Sequence, residues 1–448
     1  MTTAFRWLRG LRRPALRPAS PASIRSPLPR RSSRCLRPRS LAVALGLGLL
    51  SAGCQGGPAS LTPPEHLQIA IAYGAGSDAV ARSSLQRLAG QMAQEFMRNN
   101  PGTNLHLRFL AEQDLVASLR ERASLGAGPD LLVSRVAPVA TLAGEGLVRP
   151  SDLGPEQLDP LRIQFLSRFR QGQHYSAIPF LLQPSLACYD RRRLQAPVQR
   201  LDELLNRASQ GLRVGLPLEI DELLWSATGF GADQPLLDAL EISPRPMAAA
   251  DRDKVLAWLA WLYRANVQPT LQFVDSSDEL VQRLESGQLD WISCNATAIT
   301  RLRRSLGNRL AVSVLPAGPD GKPARPMARL LLLSFGRDSS PAQRRIAERF
   351  ALFALNDFSQ NNLMVRALGN MPVNQNVIVP VKDSPVLAAM QRSLEASIVP
   401  NFVEGVGLRL RSPAVRQLLK QDVYGEETPQ TVLKALEALA TTPALTRP

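Results

Sequence analysis

The sequence is poor in the residues that carry most metal and nucleophile chemistry. Its 448 residues include only three histidines, His66, His106 and His174, all far apart. The four cysteines stand at 35, 54, 188 and 294. No HExxH, CxxC or HxH spacing occurs, which argues against a His- or Cys-based metal centre, and no cofactor is implied. No G-x-S-x-G is present, and three scattered histidines assemble no Ser/His/Asp arrangement, so the expectation is a protein that is not an enzyme. Carboxylates are plentiful, and an acid pair for glycoside hydrolysis stays open. Asp221-Glu222 is the most cleft-like such pair, and a solvated loop is the better reading of it. Aromatic residues make up 5% of the chain. The longest apolar run is ten residues, too short to cross a bilayer comfortably. With 45% hydrophobic and 20% charged residues the chain is globular in composition, and its length suits two or three domains or one large two-lobed unit.

The formal charge of +15 would suggest a nucleic-acid partner if it were evenly spread. It is not: the first 53 residues hold 11 arginines, no lysine and no acid, leaving 42 basic against 38 acidic residues in the rest. A mildly basic body with few aromatics and no binding motif predicts no nucleic-acid partner. The leader continues into Leu41-Ala-Val-Ala-Leu-Gly-Leu-Gly-Leu-Leu50, a signal-peptide h-region. It ends in Leu50-Ser-Ala-Gly-Cys54, which resembles a bacterial lipobox. That resemblance implies a signal peptide over 1–53, lipidation of Cys54 and a lipid-anchored, exported protein facing the periplasm or the cell exterior. Residues 54–65 then form a short tether, and acyl chains would hold the body at a membrane. The basic region is unusually long, with no Met between Met1 and Met92, consistent with a start annotated too early.

Beyond residue 65 the pattern alternates. Leu67–Tyr73 reads as a strand and 79–99 as a helix with apolar spacing at Leu85, Leu88, Met92 and Phe96. Leu105–Leu110, a helix over 113–124 and Leu131–Val133 follow. Strands at 176–180, 186–189, 214–216, 289–293, 310–315 and 330–334 alternate with helices at 201–208, 248–266 and 341–355, and 380–440 reads as mostly helical. Such β-α-β order predicts a mostly parallel sheet covered by helices. Cys188 and Cys294 follow apolar strand residues, outside any turn, and are expected to be separate buried thiols.

Several segments fall into a familiar order. Gly128-Pro-Asp130-Leu-Leu-Val133 precedes Leu142-Ala-Gly-Glu-Gly-Leu147-Val-Arg-Pro150. Tyr175-Ser-Ala-Ile-Pro179, Ala187-Cys-Tyr189-Asp190 and Arg200-Leu-Asp-Glu-Leu204 come next. Ser286-Gly-Gln-Leu-Asp-Trp-Ile-Ser-Cys-Asn295, Val314-Leu-Pro316-Ala-Gly-Pro-Asp-Gly-Lys322 and Leu368-Gly-Asn-Met-Pro372-Val-Asn374 complete the set. Together, over about residues 66–400, these resemble the extracellular solute-binding proteins of ABC importers (family 1, the branch that includes maltodextrin-binding protein). The resemblance implies an α/β, two-lobed periplasmic-binding-protein fold of type II with discontinuous lobes around a ligand cleft. Lobe 1 would be 66–177 plus 317–371 and lobe 2 178–316 plus 372–445. Hinges are expected near Ile178-Pro179, Leu315-Pro316 and Pro372, closing on ligand. It further implies a monomer that takes a small solute, carbohydrate first, to the permease subunits of an importer.

Gly74-Ala-Gly-Ser-Asp-Ala79 imitates a dinucleotide fingerprint, but the acid expected about 20 residues on is missing. It reads either as a tight turn or as a cleft loop in which Tyr73, Ser77 and helix N–H groups meet a ligand. By the resemblance, Ser134 and Arg135 end a strand that faces the cleft, and Gln183 takes the place of a sugar-binding acid. Asn295 and Thr297 match a "G-P-W" segment whose Trp often stacks on a sugar, so Thr297 replaces that ring. Arg329 stands where relatives carry Gly-Gly. Trp225 or Phe230 could supply an aromatic face, whereas Trp258 and Trp261 read as packing. Two arginines, Arg135 and Arg329, would favour an anionic solute as the alternative ligand. The lost Trp and Gly-Gly motivate a second alternative, a signalling or assembly lipoprotein on the same fold.

Overall fold

The structure, a computed structural model, describes residues 65–74, 77–240, 247–399, 410 and 412–441. The leader, Cys54 with its tether, and Ala75-Gly76 of the glycine turn lie outside the described residues. The strands in chain order are β1 (Glu65–Tyr73), β2 (Thr103–Ala111), β3 (Leu131–Arg135), β4 (Val148–Arg149), β5 (Arg170–Gln171), β6 (His174–Tyr175) and β7 (Ile178–Gln183). Then come β8 (Ser185–Asp190), β9 (Val214–Pro217), β10 (Leu271–Val274), β11 (Trp291–Asn295), β12 (Leu310–Ser313), β13 (Arg329–Gly336) and β14 (Met371–Pro372).

They build two principal sheets. The first runs β14-β7-β13-β3-β1-β2, with β4 against β13. Its β1 pairs parallel to β2 and β3, and β13 is antiparallel to β3 and β7. The second runs β10-β9-β11-β8-β12, with β9, β10 and β11 parallel and β8 antiparallel to both its neighbours. Strand β1, between β3 and the edge strand β2, has Ile69, Ala70 and Ile71 buried in succession, as a parallel strand covered on both faces requires. The helix Ala79–Asn99 starts where Asp78 accepts a hydrogen bond from the Ala81 N–H at 2.7 Å. The helix Pro341–Leu355 opens on a capping box between Ser340 and Gln343, with proline in its first turn.

The expected hinges move. Ile178-Pro179 lies inside β7, which pairs with β13 and β14, so the chain leaves the first sheet at Pro184. The return crossing spans the stretch between β12 and β13. The third lies beyond Pro372: Asn374 still bridges Leu161, while the helix Pro385–Ala396 packs on β8 and β12. A buried, largely apolar strand signal does not say which of two sheets the strand joins.

The expectation of two free thiols is overturned. Cys188 and Cys294 form a disulfide, with Cα atoms 5.9 Å apart. The reason is register. Cys188 lies opposite Ile292 in the antiparallel β8–β11 pair, so Cys294, two residues on, shares its face as the diagonal neighbour. Leu186 and Cys188 enter one hydrophobic core with Ile292 and Cys294, while the alternate residues Ala187, Tyr189 and Trp291 enter the other.

Candidate functional site

A cavity of about 220 Å³ opens between the two sheets. It lies past the carboxyl ends of β3 and β9, where open α/β sheets generally place their ligands. From the first sheet come Arg135, the last residue of β3, Arg329, the first of β13, and Glu112, which opens the helix after β2. From the second come Glu219, Ile220 and Asp221 at the start of the helix Ile220–Thr228, which follows β9. Arg416, from the helix Pro413–Val423, completes the polar lining, and Val136, Ala137, Ala328, Leu330 and Leu410 supply apolar wall.

Each arginine of the lining meets a carboxylate. Arg135 donates through Nε to Glu112, and Arg416 meets Glu219 at 3.1 Å. Arg329 donates through Nη1 to Glu222, whose other oxygen accepts from the Ser277 hydroxyl. The Arg329–Glu222 pair joins the two sheets, and its side chains are only 19% and 12% exposed. Burial pushes the Glu222 carboxyl up to about 7, and the nearby Asp221 and Glu219 carboxylates add to the rise against the opposing pull of Arg329. Burial also raises Glu219, with Asp221 contributing, against Arg416, Arg329 and Arg135. Asp221-Glu222 is therefore no solvated loop: the pair starts a helix, with Asp221 in the cavity wall and Glu222 buried beside it.

Other contacts link the two sides. Arg304 reaches Asp78 at 3.0 Å. Gly369, at φ +104°, packs so closely on the 296–297 backbone that a Cβ would lie 2.4 Å from the Ala296 carbonyl oxygen. Glycine is required there for both its conformation and its size.

Of the residues singled out from sequence, Arg135 and Arg329 line the cavity. Ser134 is fully buried, its hydroxyl donating to the Arg135 carbonyl at 3.3 Å. Gln183 is buried and donates to Asn370 at 2.9 Å, while Asn295 donates to the Gln183 carbonyl at 3.4 Å and accepts from the Thr297 hydroxyl at 2.7 Å. These three knit the crossing and are not among the cavity's lining residues. Tyr73 carries the Arg82 guanidinium 5.9 Å above its ring, and the Ser77 N–H closes a turn onto Gly74. Trp225 is no cleft aromatic: it is 1% exposed, with its ring 6.5 Å from that of Trp291. Trp258 and Trp261 are buried in the same core, Trp258 donating to Ser226 at 2.9 Å. Among the described residues no aromatic side chain lines the cavity. Glu112 and Glu219 escaped the sequence reading although each follows a strand end, a position that could have flagged them. Arg416 carried no such signal, because only the tertiary fold brings its helix to the cavity.

No protein-family profile matches the chain, and no curated protein matches it in sequence. Solved structures do match. The GacH receptor of Streptomyces glaucescens GLA.O, determined unliganded and in complex with acarbose and an acarbose homolog, aligns with a TM-score of 0.69 and 17% identity, covering 83% of this chain and 97% of the receptor. A cyclo/maltodextrin-binding protein complexed with maltotetraose aligns with a TM-score of 0.67 and 14% identity, over 85% of this chain and 97% of its own. At that identity the likeness speaks for architecture, and the chain has the two-lobed α/β periplasmic-binding-protein fold.

Proposed function

We propose that the protein captures a small solute, carbohydrate by preference, between its lobes and hands it to the permease subunits of an ABC importer. The observation that carries this reading is the cavity between the two sheets, with polar side chains converging on it from both sides. The two solved structures of the same fold were each determined with a saccharide or an acarbose-type ligand, which supports a sugar. Arg135 and Arg329 no longer favour a free anion, since both already hold carboxylates.

Export and anchoring through Cys54 belong to the same proposal. The buried Cys188–Cys294 disulfide supports an oxidising compartment. Lobe 1 would comprise the residues of the first sheet with their helices, and lobe 2 those of the second. Thermal unfolding with a panel of mono- and oligosaccharides tests solute capture. A ligand at 100 times its Kd should stabilise the protein by about 2.7 kcal/mol. A melting curve unmoved by every sugar would reject the reading and favour a scaffold without a ligand.

A further inference from the structure

We propose that His66 and His106 together hold one divalent metal ion of the nickel, copper and zinc class, and that the ion staples the edge strand β2 to β1. Neither histidine lines the solute cavity, so the inference stands apart from that reading. The two lie 40 residues apart in the sequence, at no spacing that marks a metal site. The parallel register brings them together. His66 stands opposite Asn104, and His106 opposite Gln68. Side chains alternate between faces along a strand, so His66 and His106 are diagonal neighbours on one face of the sheet. His66 Nδ1 and His106 Nε2 come within 3.2 Å of each other, and both side chains are exposed.

A zinc–imidazole bond of about 2.0–2.1 Å sets two ligand nitrogens about 3.3–3.4 Å apart on a tetrahedron and about 2.8–3.0 Å apart at a right angle. The observed 3.2 Å lies between the two, so either geometry is reached with little movement. The ring planes are 27° apart, and the torsion that turns an imidazole is broad, so both lone pairs can be aimed at one ion. At this separation the pair shares one hydrogen bond, one ring donating and the other accepting. An ion takes that proton's place once the donor ring carries its hydrogen on the far nitrogen. Imidazole suits nickel, copper and zinc, and both ligands stand on hydrogen-bonded strands, so little further order is lost on binding. Among the described residues no third His, Cys, Asp or Glu joins the pair, so water completes the shell. The Gln68 side chain on the same face is already engaged, its oxygen accepting from Arg122 at 3.0 Å. The strand that gains is β2. It ends the first sheet, with β1 as its one strand partner among the described residues. An ion held by both histidines adds a link across that ladder. It favours the folded chain, because unfolding separates the two ligands by 40 residues.

Titration calorimetry of the full, untagged protein with nickel chloride and with zinc chloride tests the inference. Three variants accompany it, His66→Gln, His106→Gln and His174→Gln, each checked for a native circular dichroism spectrum. The parent should bind nickel with one equivalent at the histidine pair. His66→Gln and His106→Gln should each weaken that binding about tenfold or more, because each removes one of two protein ligands. His174→Gln should bind as the parent does. Saturating nickel should also raise the melting temperature of the parent and of His174→Gln, and leave that of the other two variants where it was. Neither metal binding the parent, or a titration unchanged in either His66→Gln or His106→Gln, would overturn the site. Histidine-dependent binding with no rise in melting temperature would overturn the stapling of β2.

Discussion

Reducing the Cys188–Cys294 bridge should destabilise the second lobe. The bridge closes a loop of 106 residues. On the chain-entropy relation, that closure removes about 16 cal/mol/K from the unfolded ensemble, about 4.8 kcal/mol at 25 °C. Measured bridges usually deliver roughly 2–4 kcal/mol, because the reduced unfolded chain keeps residual structure. The native cost of reduction is small, since two buried thiols behave as small hydrophobes in a core that already surrounds them. Both cysteines belong to the second sheet, so the loss should fall on the unfolding of that lobe. If the lobes unfold separately, only one of two transitions should move. Urea unfolding with and without a phosphine reductant measures the effect, with non-reducing peptide mapping of the same sample. Recovery of the 188 and 294 peptides unlinked, or superimposable unfolding curves after verified reduction, would refute the reasoning.

Trp225→Ala should cost about 3–5 kcal/mol of stability, the scale for emptying a buried aromatic site. Trp225→Phe should keep sugar affinity near that of the parent, since the ring sits in the core, and calorimetry showing a binding loss in that variant would return Trp225 to the cleft. Asp422 is fully buried, neither carboxylate oxygen meets a hydrogen-bond donor among the described residues, and burial pushes its pKa up to about 7. The folded state therefore holds a proton that the unfolded chain releases near pH 4, so this residue erodes stability as pH rises from about 4 to 7. Asp422→Asn should be the more stable form at pH 8 by as much as ~4 kcal/mol, with a smaller gap at pH 4, and equal urea midpoints at both pH values would reject this. Mass spectrometry of membrane-extracted protein should find Cys54 as an acylated first residue, and Cys54→Ser should be unprocessed or released. An intact N-terminus upstream of Cys54 would end that proposal.

Much of the architecture lay in local pattern. The helix over 79–99 has apolar spacing, an aspartate cap and a Pro-Gly stop, all set within one stretch of chain, and the structure reproduces its bounds. The helix Pro341–Leu355 is legible for the same reason. Most of the longer strands were readable too, because short apolar runs between turn residues have few other ways to bury themselves, whereas β10 was missed. Partnership was not readable. Strand β7 is buried on every residue and apolar up to Gln183, so nothing in it says which sheet it joins, and the hinge fell six residues early. Cys188 and Cys294 lie 106 residues apart, and only the β8–β11 register puts them on one face. At the site, Arg135 and Arg329 were visible as arginines at strand ends, but their charge was not visible as spent. Glu112, Glu222 and Ser277 engage them or each other through contacts between separate elements, and Arg416 arrives from the far end of the chain. Local periodicity is set by neighbours in sequence. Charge balance in a buried site is set by neighbours in space, and that is what only the tertiary structure decided.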